Sequence, residues 1–414
     1  MLPVILNGFR NLLLVNLCMH AHSYLKSSAE ILGEYKGEEP FASFLKKYFR
    51  QYKKYGSKDR KQVSHLCYCY FRLGKALLDI PIEERILIGL FLCSDKPNEI
   101  LDQLKPVWKG KVDLPAEEKL LIIPARLRQS GGNYSLFIES VFPWKELSEG
   151  IDHEKFCESF FTQPDLFIRL RPGHESRVKT KLLDHGINFS EITSTCLSLP
   201  NASRIENIIE LDKEAVVQDL NSQQTGKLLT NFKSQISNHK VWDCCAASGG
   251  KSLMLYDIDP DIELTVSDVR ESILANLKKR FEKAGIQNYT SFINDLSQPN
   301  LKPQITNFDL IICDAPCTGS GTWSRTPEQI YFFDEKRIEQ YALLQKKIVS
   351  TIIPRLKIEG CLLYITCSVF KKENEEVVEF IQRNSELELI KMELLKGYDK
   401  KTDTMFAALF KKNS

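Results

Sequence analysis

Apolar residues recur at helical spacing from Leu2 to about Leu147, as in Phe41, Phe44, Leu45, Tyr48, Phe49 and Tyr52, and again in Val63, Leu66, Cys67, Tyr70 and Phe71. This pattern predicts an all-helical region. Its first part, Leu2 to His20, is interrupted by Asn7, Arg10, Asn11 and Asn16, and no basic segment precedes it, so it reads as an amphipathic helix rather than a signal peptide. Between Pro164 and Lys233 the texture changes: Leu166 to Leu170 predicts a short strand, Arg177 to Gly186 a helix ending in glycine, and Ala215 to Leu229 a further helix-rich piece. From Lys240 onward, apolar runs alternate with amphipathic helices. The runs are Val241 to Cys245, Glu263 to Val269, Ser291 to Ile293, Phe308 to Cys313 and Cys361 to Thr366. The helix Glu271 to Ala284 opens on acids, gathers Lys278, Lys279 and Arg280 late, and stops at Gly285. Such alternation implies βαβ units on a parallel sheet. The expected fold class is α/β: a doubly wound, Rossmann-like domain over 236–414, preceded by an all-helical domain over 1–147 and a small α/β connecting domain over 148–235.

Composition adds limits to this picture. At 414 residues and 43% hydrophobic, the chain is too long for one core and too apolar for disorder. Its formal charge of +2 announces no polyanion partner, so a nucleic-acid surface has to come from local clustering. One such cluster is Lys46, Lys47, Arg50, Lys53, Lys54, Lys58, Arg60 and Lys61, set against the single acid Asp59. It reads equally as a phosphate-binding face or as a solvated helix face whose aromatics point inward. Arg169, Arg171, Arg177, Lys179 and Lys181 form a second cluster, open to the same two readings. The twelve cysteines lack the spacing of a disulfide framework or of paired zinc ligands, and the seven histidines do not flank them. A reducing cytoplasm and no bound metal are therefore expected. The longest apolar run, Ile86 to Cys93, is far short of the roughly 20 residues that span a bilayer, so no membrane partner is expected.

The candidate chemistry lies at strand ends of the third domain, where doubly wound sheets bind ligands. The first strand runs into Cys245, Ala246, Ala247, Ser248, Gly249, Gly250 and Lys251, small residues that permit a tight turn and close approach of backbone to ligand. The phosphate-loop glycine four residues upstream is absent, which disfavours nucleotide hydrolysis. Asp268, Asp295 and Asp314 each end a successive strand. A carboxylate after the second strand suits a ribose diol, although any one of these acids could merely cap the following helix.

Cys317, in Asp314-Ala315-Pro316-Cys317, and Cys367, in Thr366-Cys367-Ser368, are placed by adjacent strands over one cleft. A thiolate is a soft nucleophile suited to conjugate addition, and carbon 5 of cytosine attacks a methyl donor only after something adds at carbon 6. Two thiols allow one to add and the other to assist departure. Spacing does not say which does which, and both could instead be buried strand-end residues.

These motifs resemble those of the Sun/Nop (RsmB-type) family of RNA cytosine-5 methyltransferases. Cys245 to Lys251 is similar to its Cys-Ala-Ala-Pro-Gly-Gly-Lys turn, Asp314 to Gly321 to its Asp-Ala-Pro-Cys-Ser-Gly-Thr-Gly loop, and Thr366 to Ser368 to its Thr-Cys-Ser. Val217-Gln218-Asp219 with Ser222-Gln223 and the segment Asp403 to Phe410 add weight, and together the likeness covers about 160–414. The helical region, through Ser57 to Arg60 and Leu66 to Arg72, resembles a NusB-like RNA-binding domain more loosely. The resemblance implies S-adenosylmethionine as cofactor, with Cys245 to Lys251 on its methionine end, Asp268 on the ribose and Asp295 on the adenine. It implies Cys367 as nucleophile, Cys317 as the residue aiding adduct breakdown, Asp314 between cofactor and base, and Lys251 orienting it. Ribosomal RNA, of the small subunit by preference, is the implied substrate of a monomeric enzyme. Ser248 replaces the family's usual proline, which loosens the turn's preset backbone and predicts weaker cofactor preorganisation. A catalytically silent RNA-binding or assembly factor, and a methyltransferase on another substrate, stand as the rival readings.

Overall fold

A computed structural model describes residues 20–124, 133–229, 239–298 and 307–413. The expected first helix lies, apart from His20, outside the described residues. Chain contacts divide the molecule into two compact units: Met1–Lys145 with Asp152–Thr162 and Trp323–Phe333, and Glu146–Ile151 with Gln163–Thr322 and Asp334–Ser414.

Among its described residues the first unit is helical. It includes a helix over 20–34, then Phe41–Gln51, Ser57–Arg72 and Ile82–Cys93. The periodic residues Phe41, Leu45, Tyr48, Phe49, Val63, Leu66, Cys67, Tyr70 and Phe71 are buried, whereas Tyr52 is exposed. Asp59, the lone acid in the basic run, accepts hydrogen bonds from the Gly56 amide (2.8 Å) and the Tyr24 hydroxyl (2.8 Å), so it caps the helix Ser57–Arg72. The segment Trp323–Phe333, which follows the second cysteine-bearing loop in sequence, belongs to this unit: Trp323 packs on Phe142 and Trp144, and Glu328 accepts from the Phe41 amide at 3.2 Å.

The second unit holds two sheets. The smaller is antiparallel, in the order β2-β3-β1-β4, with β1 Leu166–Leu170, β2 Ser190–Thr193, β3 Cys196–Leu199 and β4 Ala215–Val217. Ala215–Val217 is thus a strand, not the start of a helix, because its three residues pair with Ile168 to Leu170. The helix Glu175–Asp184 covers this sheet through Val178 and Leu182.

The larger sheet has seven strands in the order β10-β11-β9-β8-β5-β6-β7. They are β5 Lys240–Asp243, β6 Glu263–Asp268, β7 Tyr289–Ile293, β8 Phe308–Asp314, β9 Leu356–Thr366, β10 Leu387–Leu395 and β11 Met405–Lys412. Strands β5 to β9 are mutually parallel, while β11 runs antiparallel to β9 and β10 antiparallel to β11. The expected all-parallel sheet is therefore extended by an antiparallel pair, and β10 is an edge strand that the sequence pattern did not announce. Its Glu388, Lys391 and Glu393 break the apolar run, as charges on edge strands do. Buried residues from both faces, among them Leu253, Leu277 and Phe281 on one side and Val349, Ile352 and Ile381 on the other, sandwich the sheet between helices. Chain order reverses at β5, between β8 and β6, which fixes the place where a ligand fits beyond the strand ends.

Candidate functional site

At that reversal a cavity of about 520 Å³ opens beyond the carboxyl ends of the parallel strands, within the size range of small-molecule sites. Asp268, Asp295, Asp314, Cys317 and Cys367 all line it, as do Cys245 and Ala247 from the turn. The acids differ in what they do locally. Asp295 is exposed and accepts from the amide (3.0 Å) and hydroxyl (2.7 Å) of Ser297, which closes a turn; among the described residues it caps no helix. Asp268 accepts from the Ala247 amide (3.0 Å), the Arg270 amide (2.9 Å) and the Arg270 guanidinium (3.0 Å). Burial alone would raise the Asp268 pKa, but the Arg270 contacts outweigh it and hold the carboxyl below its ordinary value. Asp314 accepts from the buried ammonium of Lys251 at 3.1 Å. Lys251 also donates to the Ser222 hydroxyl at 2.8 Å, so the Ser222 of the Val217-to-Gln223 motif acts on the turn.

The turn itself is strained into position. Ala247 adopts φ 44° and Gly249 φ 83°, in the left-handed region. A Cβ on Gly249 would stand 2.8 Å from the Phe281 ring and 3.1 Å from Leu277, so glycine is required there twice over. Ala246 is buried, and Gly250 begins the helix Gly250–Ile258. Ser248 does not face the cavity's acids; its carbonyl (2.8 Å) and hydroxyl (3.0 Å) both accept from Arg280, whose guanidinium pairs with Asp212 at 2.8 Å. This clamp replaces the rigidity that a proline would supply, and neither Arg280 nor Asp212 was marked by a motif. Substituting Arg280→Gln is expected to weaken about tenfold the binding of the S-adenosylmethionine that the resemblance implies, with little change in maximal rate, as equilibrium titration and saturation kinetics would register.

Cys317 follows β8 and Cys367 follows β9, and their sulfurs stand 3.3 Å apart. Contact with the Cys367 sulfur, and then burial, push the Cys317 thiol well above the ordinary thiol range. Both loops hang on one buried carboxylate that the sequence reading overlooked. Glu373 accepts from the Thr318 amide (2.9 Å) and hydroxyl (2.6 Å), from the Ser368 hydroxyl (2.6 Å) and from the Gln345 side-chain amide (3.1 Å). Burial raises its pKa, against the pull of these donors. Beside it, Asn374 donates to the Ser368 carbonyl (2.9 Å) and accepts from Thr366 (2.5 Å). Gly321 completes the fit: its amide donates to the Cys367 carbonyl at 2.9 Å, and a Cβ there would stand 2.0 Å from the Thr404 carbonyl oxygen. Glu373 thus fixes the separation of the two sulfurs. Glu373→Gln presents an amide where buried donors expect an oxygen, a loss of about 1–3 kcal/mol that predicts an about 5- to 150-fold slower reaction at the two cysteines. Methyl-donor affinity is expected to stay unchanged, which separates a defect in cysteine placement from a collapsed pocket.

The two basic clusters have different fates. All five residues of the second are ion-paired: Arg169 and Arg171 with Asp257, Arg177 and Lys181 with Glu214, and Lys179 with Glu191. Three carboxylates thus take up five cations, with Asp257 and Glu214 each shared between two, and Arg177 stays exposed. In the first, Tyr48, Phe49 and Tyr55 are buried, while Lys46, Arg50, Lys53, Lys54, Lys58, Arg60 and Lys61 are exposed and Lys47 pairs with Glu39. Lys46, Arg50, Lys53 and Arg60 surround a shallow recess floored by Phe49.

Every cysteine among the described residues is free, and no described helix is long and apolar enough to cross a membrane. Residues 230–411 match the family model described as 16S rRNA methyltransferase RsmB/F. Ribosomal RNA small subunit methyltransferase B of Photorhabdus laumondii is 32% identical over 237 residues, which is 55% of this chain and 53% of that one. The enzyme of the same name from Proteus mirabilis is 26% identical over 369 residues, 79% of this chain and 84% of that one. The chain thus aligns with about half the length of the first relative and most of the second. Among solved structures, PH0851 superposes on 95% of this chain and 99% of its own with a TM-score of 0.65 at 20% identity. NSun6 from Pyrococcus horikoshii, solved with SFG, superposes on 68% of this chain and 98% of its own with a TM-score of 0.57 at 16% identity. These two likenesses concern the fold.

Proposed function

We propose that the chain, whose residues 230–411 match the RsmB/F methyltransferase model, is an S-adenosylmethionine-dependent RNA methyltransferase of that family acting on carbon 5 of cytosine, with small-subunit ribosomal RNA as substrate. The observation that carries this reading is the pair of sulfurs at 3.3 Å beside the Lys251–Asp314 ion pair, over one cavity at the strand ends. A methyltransferase that acts directly on an amine or hydroxyl needs no such pair.

The cavity suits the methyl donor in volume, in its small-residue turn and in the carboxylate at the end of β6. Cys245 to Lys251 hold its methionine end, Asp268 the ribose and Asp295 the adenine edge. When bound, the donor supplies an electrophilic methyl group. Cys367 adds as thiolate to carbon 6 of cytosine, which converts carbon 5 into a nucleophile that accepts the methyl group. Cys317 serves as the base: having released its own proton to solvent, it takes the carbon 5 proton as thiolate, the electron pair left behind re-forms the double bond between carbons 5 and 6, and Cys367 departs. Asp314, held by Lys251, accepts from the cytosine amino group and orients the ring.

The exposed basic face of the first unit binds RNA phosphates, and among the described residues it offers more cations without a carboxylate partner than the second cluster does. Replacing Lys46, Arg50 and Lys53 by alanine is expected to reduce the slope of log affinity against log salt by about 2 to 3 and to weaken different RNAs alike, measurable by filter binding. Incubation with methyl-labelled donor and small-subunit ribosomal RNA tests the activity. Label recovered as 5-methylcytidine supports it, and folded, donor-binding protein that labels no RNA overturns it.

A further inference from the structure

At the turn lies a group of thiols to which the proposed reaction gives no chemical step. Cys244 and Cys245 follow β5, and Cys313 precedes the last residue of β8. The two strands pair in parallel, Asp243 opposite Ile312, and the Cys244 amide donates to the Ile312 carbonyl at 2.9 Å, which sets Cys244 beside Cys313. The three sulfurs all lie within 4.8 Å of one another, a convergence close enough to hold an ion. Three sulfurs bound at about 2.3 Å to a common ion in a plane stand about 4 Å apart, so the cluster needs little adjustment. Its donors are sulfur alone, which selects a soft ion, and three-coordinate geometry asks for no fourth ligand. Cys244 and Cys245 also line the cavity at the strand ends, which gives an ion a way in.

We propose that Cys244, Cys245 and Cys313 form a three-sulfur site for a single cuprous ion at the floor of the cavity, and that the ion and the methyl donor exclude one another. Each thiol that binds releases its proton to solvent. The copper site stands on the sulfur geometry alone, whereas the exclusion rests on the function proposed above. Cys245 would serve both, as a ligand of the ion and as part of the turn that holds the donor on the same cavity, so each weakens the other and, by linkage, by the same factor.

The test is an anaerobic titration of the full chain with cuprous ion against a competing chelator, with X-ray absorption to count sulfur ligands. A variant carrying Cys317→Ser and Cys367→Ser removes the close sulfur pair of the same cavity, and Cys93→Ser removes the contact of Cys69 with Cys93 in the helical unit. One ion per chain with three sulfur neighbours is expected in the wild type and in those two variants, and an affinity lower by about 100-fold or more in Cys313→Ser and in Cys244→Ser. Unchanged affinity in both Cys313→Ser and Cys244→Ser, or loss of the ion from either of the other two variants, overturns the site. With the site present, S-adenosylmethionine is expected to lower copper affinity at least about tenfold. Equal copper affinity with and without the donor, in protein that binds the donor, overturns the exclusion. Protein that binds copper through the three sulfurs and never binds the donor overturns the proposed function and leaves the copper site standing.

Discussion

Cys317→Ala is expected to accumulate a covalent protein–RNA adduct that survives denaturation, whereas Cys367→Ala forms none. Both lose turnover, by on the order of 10⁴-fold or more, as enzymes do when a nucleophile or the group that resolves its adduct is removed. The two variants fail at opposite ends of one reaction. The Cys367 sulfur makes the bond to carbon 6, so without it nothing is trapped. Without Cys317 the bond forms and methyl transfer proceeds once, but no thiolate 3.3 Å away is left to take the carbon 5 proton. Denaturing electrophoresis of each variant with RNA and methyl donor distinguishes them. An adduct in Cys367→Ala and none in Cys317→Ala would exchange the two roles.

Asp314→Asn is expected to lower the rate of methyl transfer on the order of 10²- to 10³-fold, the usual loss when one prepositioned polar partner of a reacting group is removed. Lys251 is buried and is shared between Asp314 and Ser222, so the substitution also leaves an ammonium group beside a neutral amide, which costs about 1–3 kcal/mol of stability. If Asp314 orients the base, methyl-donor affinity moves far less than the rate. Single-turnover rates set against equilibrium donor binding decide this: equal losses in both would assign Asp314 to the donor instead.

Local pattern carried much of the fold. The helix Glu271–Ala284 ends at Gly285 in the left-handed conformation, and β1 spans the five residues that alternation marked, because caps, glycines and periodicity are local signals. Strand-end residues were readable for the same reason: topology brings Asp268, Asp314, Cys317 and Cys367 to one rim without any knowledge of tertiary contacts. What escaped depends on distant partners. Glu373 looks like a surface acid in a charged run, and only its four hydrogen bonds to Thr318, Ser368 and Gln345 reveal it as the tie between both cysteine loops. The second basic cluster looked available to RNA until Asp257, Glu214 and Glu191 arrived from elsewhere in the chain. Ser248 looked like a loosened turn, and Arg280, on the distant helix Glu271–Ala284, holds its carbonyl and hydroxyl. In the same way, the membership of Trp323–Phe333 in the helical unit is written in packing against Phe142 and Trp144, not in its own periodicity.

The central claim, covalent catalysis through Cys367 at carbon 6 of cytosine, is tested most directly by RNA containing 5-fluorocytidine, in which fluorine cannot leave as the carbon 5 proton does. After reaction of the wild-type enzyme with this RNA and S-adenosylmethionine, digestion and mass spectrometry should find one nucleotide-linked peptide, joined at Cys367. Attachment at Cys317, or methylation of ordinary RNA by an enzyme that forms no linkage to the fluorinated RNA it binds, would contradict the account.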